Sequence, residues 1–186
     1  MGAAEGSQDW ISAALDVLAA GGIDGVRVEV VAQRLGVTKG GFYRRYRDRR
    51  ALLDAMLETW VAGRIDAIHR QTELGGETPR ERLRSLIRLF SERLNPQGLS
   101  IELAIRQWAR SDEGAAAAVA RVDKVRLASV AALYELLGFS KTDAQARGVI
   151  LYTFIFGRGL LFLEGPPGDH EALVEACATA LADVGS

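Results

Sequence analysis

The chain has 186 residues, 48% hydrophobic and 25% charged, with a formal net charge of −1. That balance suits a folded globular protein of one or two domains and argues against disorder over most of its length. A single cysteine, Cys177, rules out an intrachain disulfide framework, and the two distant histidines, His69 and His170, have no zinc-finger spacing. No cofactor is expected. Residues 1–9 show no basic start and apolar run, and the longest uncharged apolar stretch, 149–157, falls short of the roughly 20 residues that span a bilayer. The expectation is a cytoplasmic protein with no membrane partner.

Trp10, Ile11, Ala14, Leu15 and Leu18 form a stripe at helical spacing, with Ser7 or Asp9 as cap and Gly21-Gly22 as stop. A second stripe, Val28, Val31, Ala32 and Leu35, closes at Gly36. Thr38 can cap a short third helix in which Phe42 and Tyr46 share a face. Asp48 can cap a fourth, with apolar positions 52, 53, 56, 57, 60, 61, 65 and 68 running unbroken to about Arg70. Leu74 to Pro79 reads as a loop, and Pro79 suits the first turn of a fifth helix reaching about Leu94. Asn95-Pro96-Gln97-Gly98 reads as a turn, followed by a short helix from Ile101 to about Arg110. Asp112 caps a long helix to about Leu137, with 119, 122, 126, 130, 133, 134 and 137 roughly in line. Ser140 starts a helix to about Leu163. Gly165-Pro166-Pro167-Gly168 breaks the chain, and Asp169 opens the last helix. Residues 149–156 have strand propensity, but their length with flanks and the helical context favour a buried helix. With no hairpin signal and no internal repeat, the reading is all-α.

Charge is unevenly distributed. Residues 24–50 carry a net +5 and the remainder a net −6. A basic module on an acidic body suits an anionic polymer held at one end, although a solvated charged face gives the same count. Arginine abundance decides little, because 20 of the 23 basic residues are Arg in an Ala-rich chain, a pattern that fits coding bias.

The second and third helices are more informative. Gly36-Val37 joins them in a tight turn. Val28, Val31, Leu35, Val37, Phe42 and Tyr46 would pack with the first helix, leaving Lys39, Gly40, Gly41, Tyr43 and Arg44 pointing outward. In a helix-turn-helix the second helix of the pair enters the major groove by its N-terminal residues. Two adjacent glycines cost a helix about 1 kcal/mol each relative to Ala. Either the turn tolerates them, or their missing Cβ atoms let the backbone approach DNA, with the helix dipole adding attraction for phosphate.

Residues 25–53 resemble the DNA-binding domain of TetR-family transcriptional regulators. The likeness centres on Leu35-Gly36-Val37-Thr38-Lys39-Gly40, then Phe42-Tyr43, Tyr46, and Asp48-Arg49 before Ala51-Leu52-Leu53. It extends from Trp10 to about Met56; the later helices fit the family's C-terminal bundle in number and length only. The resemblance implies an N-terminal three-helix DNA-binding domain (1–50) joined to a helical bundle for ligand binding and dimerisation (51–186). It implies a regulator, acting as a repressor released from its operator by a small molecule. Thr38 would cap the reading helix and bond a phosphate. Lys39, Gly40, Gly41, Tyr43 and Arg44 would face the groove, with Tyr43 touching phosphate, while Arg45 and Arg49 would contact the DNA backbone. Two positions depart from the family pattern. Arg27 stands where Ser or Thr usually caps the second helix, which loses about 0.5–2 kcal/mol of capping but gains a phosphate-seeking charge. Gly41 stands where a small hydroxyl residue is common, which shifts specificity toward Lys39, Tyr43 and Arg44.

In such a family the bundle would hold an effector of unknown identity, and the side chains able to line its pocket are Trp60, Phe90, Glu102, Arg106, Trp108, Tyr134 and Tyr152. Each aromatic has core packing as its simpler reading, and Glu102 with Arg106 can be only a surface i, i+4 pair. The helix from Gly148 to Leu163 is apolar nearly all round, so it must be covered on all sides; Gly148, Gly157 and Gly159 would permit close helix approach. The resemblance favours a homodimer built from this helix and residues 169–184, bound to palindromic double-stranded DNA. Cys177 reads as a buried small hydrophobe. An enzyme is the rival class, but no nucleophile elbow or phosphate loop occurs, and Gly157-Arg158-Gly159 follows no strand. A ligand-binding bundle whose basic head meets a protein or another acidic surface is the second rival.

Overall fold

A computed structural model describes residues 2–73, 76–92, 96–158 and 167–182. The expected caps Ser7 and Asp9, the side chain of Phe90, Asn95, Gly159 and the Gly165-Pro166 break lie outside the described side chains or residues. Among the described residues every regular element is an α-helix: α1 (Gly2–Gly25), α2 (Val28–Arg34), α3 (Lys39–Tyr43), α4 (Arg49–Glu73), α5 (Pro79–Glu92), α6 (Pro96–Trp108), α7 (Glu113–Leu136), α8 (Lys141–Arg158) and α9 (Pro167–Ala182). None of them is long and apolar enough to cross a membrane. Residues 149–156 are helical, as their context argued.

The helix ends follow local chemistry. The run of α1 is interrupted at Gly22, whose φ of 68° lies in the left-handed region that favours glycine. Asp48 caps α4 by accepting the Ala51 N–H at 2.9 Å, and Asp112 caps α7 by accepting that of Ala115 at 2.8 Å. Ser140 does the same for α8 through the Asp143 N–H. At α5 the cap is reciprocal: Thr78 Oγ1 accepts the Glu81 N–H and Glu81 Oε2 accepts the Thr78 N–H. Two boundaries depart from the sequence reading. α1 reaches back to Gly2, beyond the expected caps. α6 starts at Pro96, because proline is pre-organised for the first helical position and the expected turn residues Gln97 and Gly98 enter the helix.

The chain forms two compact units. The first comprises residues 1–64 and 95–122. In it α1 packs on α2 and α6, and α2 on α3. Its core includes Trp10, Leu18, Val31, Phe42, Leu52, Met56, Trp60, Ile105 and Trp108. Arg50 Nη1 meets Asp112 Oδ2 at 2.6 Å, fastening the start of α4 to the cap of α7. A Cβ at Gly114 would stand 2.5 Å from that guanidinium, so the glycine leaves it room.

The second unit comprises residues 65–94 and 123–186. Its core joins Leu83, Leu86 and Ile87 to Val130, Leu133, Tyr134, Leu151, Tyr152 and Ile155, and α5 packs on α9. Gly148 faces α7 within the chain: a Cβ there would make ordinary contact with Leu127 O at 3.6 Å, so the position does not require glycine for α8 to pack on α7. Gly157 faces open space instead. Cys177 is half-buried and free, not buried as expected.

Candidate nucleic-acid interface

The α2–α3 pair is held from beneath by aromatic rings. Phe42 is fully buried, with its ring centroid 5.5 Å from Trp10 and 5.5 Å from Tyr46. The Trp10 contact is edge-on and the Tyr46 contact tilted, and such ring pairs add to the gain from burial itself. Gly36 makes the turn with a φ of 67°. With Phe42 pinned inward, helical periodicity turns the adjoining residues out. Thr38, Lys39, Gly40, Tyr43, Arg44 and Arg45 are all exposed, Tyr43 by 61%.

Three details differ from the sequence reading, and a fourth, at Arg27, agrees with it. Val37, expected in the core, is 47% exposed, because the turn carries it past the aromatic cluster. Gly41 is half-buried, and a Cβ there would lie 3.9 Å from the Trp10 ring, so this glycine borders the core. Thr38 occupies the N-cap position of α3, but its side chain makes no capping hydrogen bond. Arg27 occupies that of α2, exposed and likewise without a side-chain cap bond.

The charged residues are arranged on this frame. Lys39 Nζ meets Glu29 Oε1 at 2.6 Å, and this hydrogen bond holds the Glu29 carboxyl below its ordinary range. Arg34 pairs with Asp16 at 3.0 Å, joining α2 to α1. Arg44 reaches only weakly back to Gly40 O, at 3.5 Å. Arg49 does something sequence reasoning missed: its Nε donates to Val26 O at 2.6 Å and its Nη2 to Ile23 O at 2.7 Å. It ties the first turn of α4 to the α1–α2 junction. No local pattern signals this, since the acceptors are backbone atoms over twenty residues away.

The residues expected to line a ligand pocket fall into both units. Trp60, Glu102, Arg106 and Trp108 belong to the first unit, Tyr134 and Tyr152 to the second. Glu102 is only 2% exposed, so it is no surface pair. Its carboxylate accepts from Arg106 at 2.9 Å and from Arg64 at 3.0 Å, linking α6 to α4. One turn before Arg64, the buried Trp60 Nε1–H has no hydrogen-bond acceptor among the described residues. In the second unit the Tyr134 hydroxyl donates to Leu181 O at 2.9 Å; burial pushes its pKa up, against the opposing pull of Arg147. Arg126, placed in the α7 apolar row by its spacing, is buried against the rings of Tyr152 (5.3 Å) and Phe156 (5.1 Å). Those ring faces and the Asp123 carboxylate, which accepts from Arg126 Nη1 at 3.0 Å, accommodate the guanidinium there.

Comparison with known proteins agrees with this geometry. Residues 11–56 match the model of the bacterial regulatory proteins of the tetR family. The class A tetracycline repressor protein from transposon 1721, of Escherichia coli, is 46% identical over 52 residues, which are 28% of this chain. The match spans about a quarter (24%) of that repressor's length. A transcriptional regulator from Rhodococcus sp. Rha1 is similar in fold over 95% of this chain and 93% of its own, with a TM-score of 0.74 at 20% identity. A protein from Saccharomonospora viridis, solved in complex with choline, is similar over 95% of both chains, with a TM-score of 0.77 at 18% identity. The fold is thus an N-terminal helix-turn-helix followed by further helices, and residues 11–56 are similar to the tetR family of bacterial regulatory proteins.

Proposed function

We propose that the chain is a sequence-specific DNA-binding transcriptional regulator, a repressor that leaves its operator when a small molecule binds. The observation that carries this reading is the start of α3: Lys39, Tyr43 and Arg44 exposed on a short helix whose Phe42 is locked under Trp10 and Tyr46. A rigid helix with outward cations and its N-terminus forward suits a major groove. Lys39 and Arg44 read bases. Thr38, Tyr43, Arg45 and Arg27 meet phosphates, and Gly40 and Gly41 permit close approach. Arg49 reaches phosphate only with donor capacity left over from its two carbonyls.

The regulator works as a homodimer on a palindromic operator, because two-fold protein symmetry requires a two-fold site. Val149 and Ile150 on α8 and Leu173 on α9 are large exposed apolar side chains, which supports these two helices as the surface that meets a second copy. The effector binds in the helical body. The Trp60 N–H, without an acceptor among the described residues and one helical turn from Arg64 of the Arg64–Glu102–Arg106 network, favours a ligand bearing a hydrogen-bond acceptor. Choline bound to the Saccharomonospora viridis relative supports a small-molecule site in a protein of this fold.

The test is tryptophan fluorescence during a compound screen, followed by titration of each hit with and without operator. Reciprocity requires a ligand that weakens DNA binding to be weakened by DNA by the same factor. A hit whose affinity is identical in both titrations contradicts ligand-driven release.

A further inference from the structure

A cleft of about 580 Å³ lies in the first unit between the C-terminal end of α1 and one face of α6. Gly21, Gly22, Asp24, Ser100, Gln107 and Trp108 are among the residues lining it. The volume falls within the range of small-molecule sites. Three observations set its chemistry. A Cβ on Gly21 would meet nothing within 4 Å, although Gly21 lacks the positive φ that requires glycine at Gly22. Gly21 is exposed and directly precedes the break at Gly22, so the missing side chain leaves this part of the cleft's lining open. Second, Asp24 on the rim has no ion-pair or hydrogen-bond partner among the described residues, whereas the other described carboxylates of residues 10–50 are engaged: Asp16 by Arg34, Glu29 by Lys39 and Asp48 by Arg47. Third, no lysine or arginine lines the cleft, and the end of α1 adds the negative pole of its helix dipole.

We propose that this cleft binds a small organic monocation, an ammonium group on an apolar body. The ammonium pairs with Asp24 and the body lies over Gly21 against Leu103, Ala104 and Trp108. The site is separate from the Trp60–Glu102 region assigned to the effector above. An occupant touches α1, whose Trp10 supports the reading helix, and α6 together.

The test uses calorimetric titration of the full chain with phenethylammonium, its neutral analogue phenethyl alcohol and the anion phenylacetate. Variants are Asp24→Asn, which removes the charge, and Gly21→Leu, which fills the open space with a good helix former. Thermal unfolding checks that both variants are folded. The expected result is saturable binding of phenethylammonium, weaker binding of the alcohol and none of phenylacetate. Affinity should fall about fivefold in Asp24→Asn, as for a modest ion pair, and binding should be lost in Gly21→Leu. No saturable binding to the native chain, or undiminished binding to folded Gly21→Leu, would overturn the proposal.

Discussion

Lys39 and Glu29 meet at 2.6 Å across the α2–α3 turn, so the first residue of α3 is already engaged within the chain. Both side chains are more than half exposed, so solvent screens the pair and it contributes little to stability. On the proposed reading, DNA must displace Glu29 to recruit Lys39. Glu29→Ala should therefore strengthen operator binding by up to about fivefold, and it also removes a like charge from the DNA-facing surface. Fluorescence anisotropy at fixed salt measures this, and an unchanged or weaker affinity would mean that Lys39 does not reach DNA.

Arg44→Ala should relax base preference at one position per half-site by about 1–3 kcal/mol if the contact is bidentate. The readout is the pattern of preferred bases, not affinity alone. A uniform loss with the same preferred sequence would make Arg44 a phosphate anchor.

Arg49 makes a different prediction from the other arginines of the head. Its two bonds to the Val26 and Ile23 carbonyls hold α4 to the α1–α2 junction without DNA. Arg49→Ala should lower stability by about 1.5 kcal/mol, near the lower end for hydrogen bonds to charged groups. Denaturant unfolding of the DNA-free chain measures it. A variant that unfolds like the native chain and loses only DNA affinity would restrict Arg49 to phosphate contact.

How much of this was legible in the sequence depended on how local the cause was. Asp48, Asp112 and Ser140 were readable as caps because a cap acts within three residues. Phe42 and Tyr46 were readable as one face because helical period fixes it. Val37 was not, because a turn residue's direction depends on the packing beyond it. The Arg49 clamp, the Arg64–Glu102 pair and the burial of Arg126 depend on contacts between distant elements, and no spacing rule reports those. Glu102 with Arg106 was readable as a pair, but its burial under a second arginine was not.

Acid should weaken the cap that fastens α7. Burial raises the pKa of Asp112, but hydrogen bonds from the Ala115 N–H and from Arg50 outweigh it and hold the carboxyl below its ordinary value. A carboxylate with a lowered folded pKa contributes stability that is fully present above its unfolded pKa, about 3.9 for Asp, and is lost as pH falls through the folded pKa. Asp112→Asn keeps a capping oxygen but not the charge that meets Arg50. Its melting temperature should lie below that of the native chain at neutral pH, and the gap should close as pH drops below about 4. A gap independent of pH would show that the charge on Asp112 contributes nothing.

The central claim is that α3 reads a DNA sequence, and selection of bound duplexes from a random pool tests it most directly. The expected result is one enriched sequence with two-fold symmetry, half-sites roughly 34–36 Å apart or a multiple of that, and binding that weakens steeply with salt. Recovery of no enriched sequence, with salt-sensitive binding to every duplex alike, would contradict it.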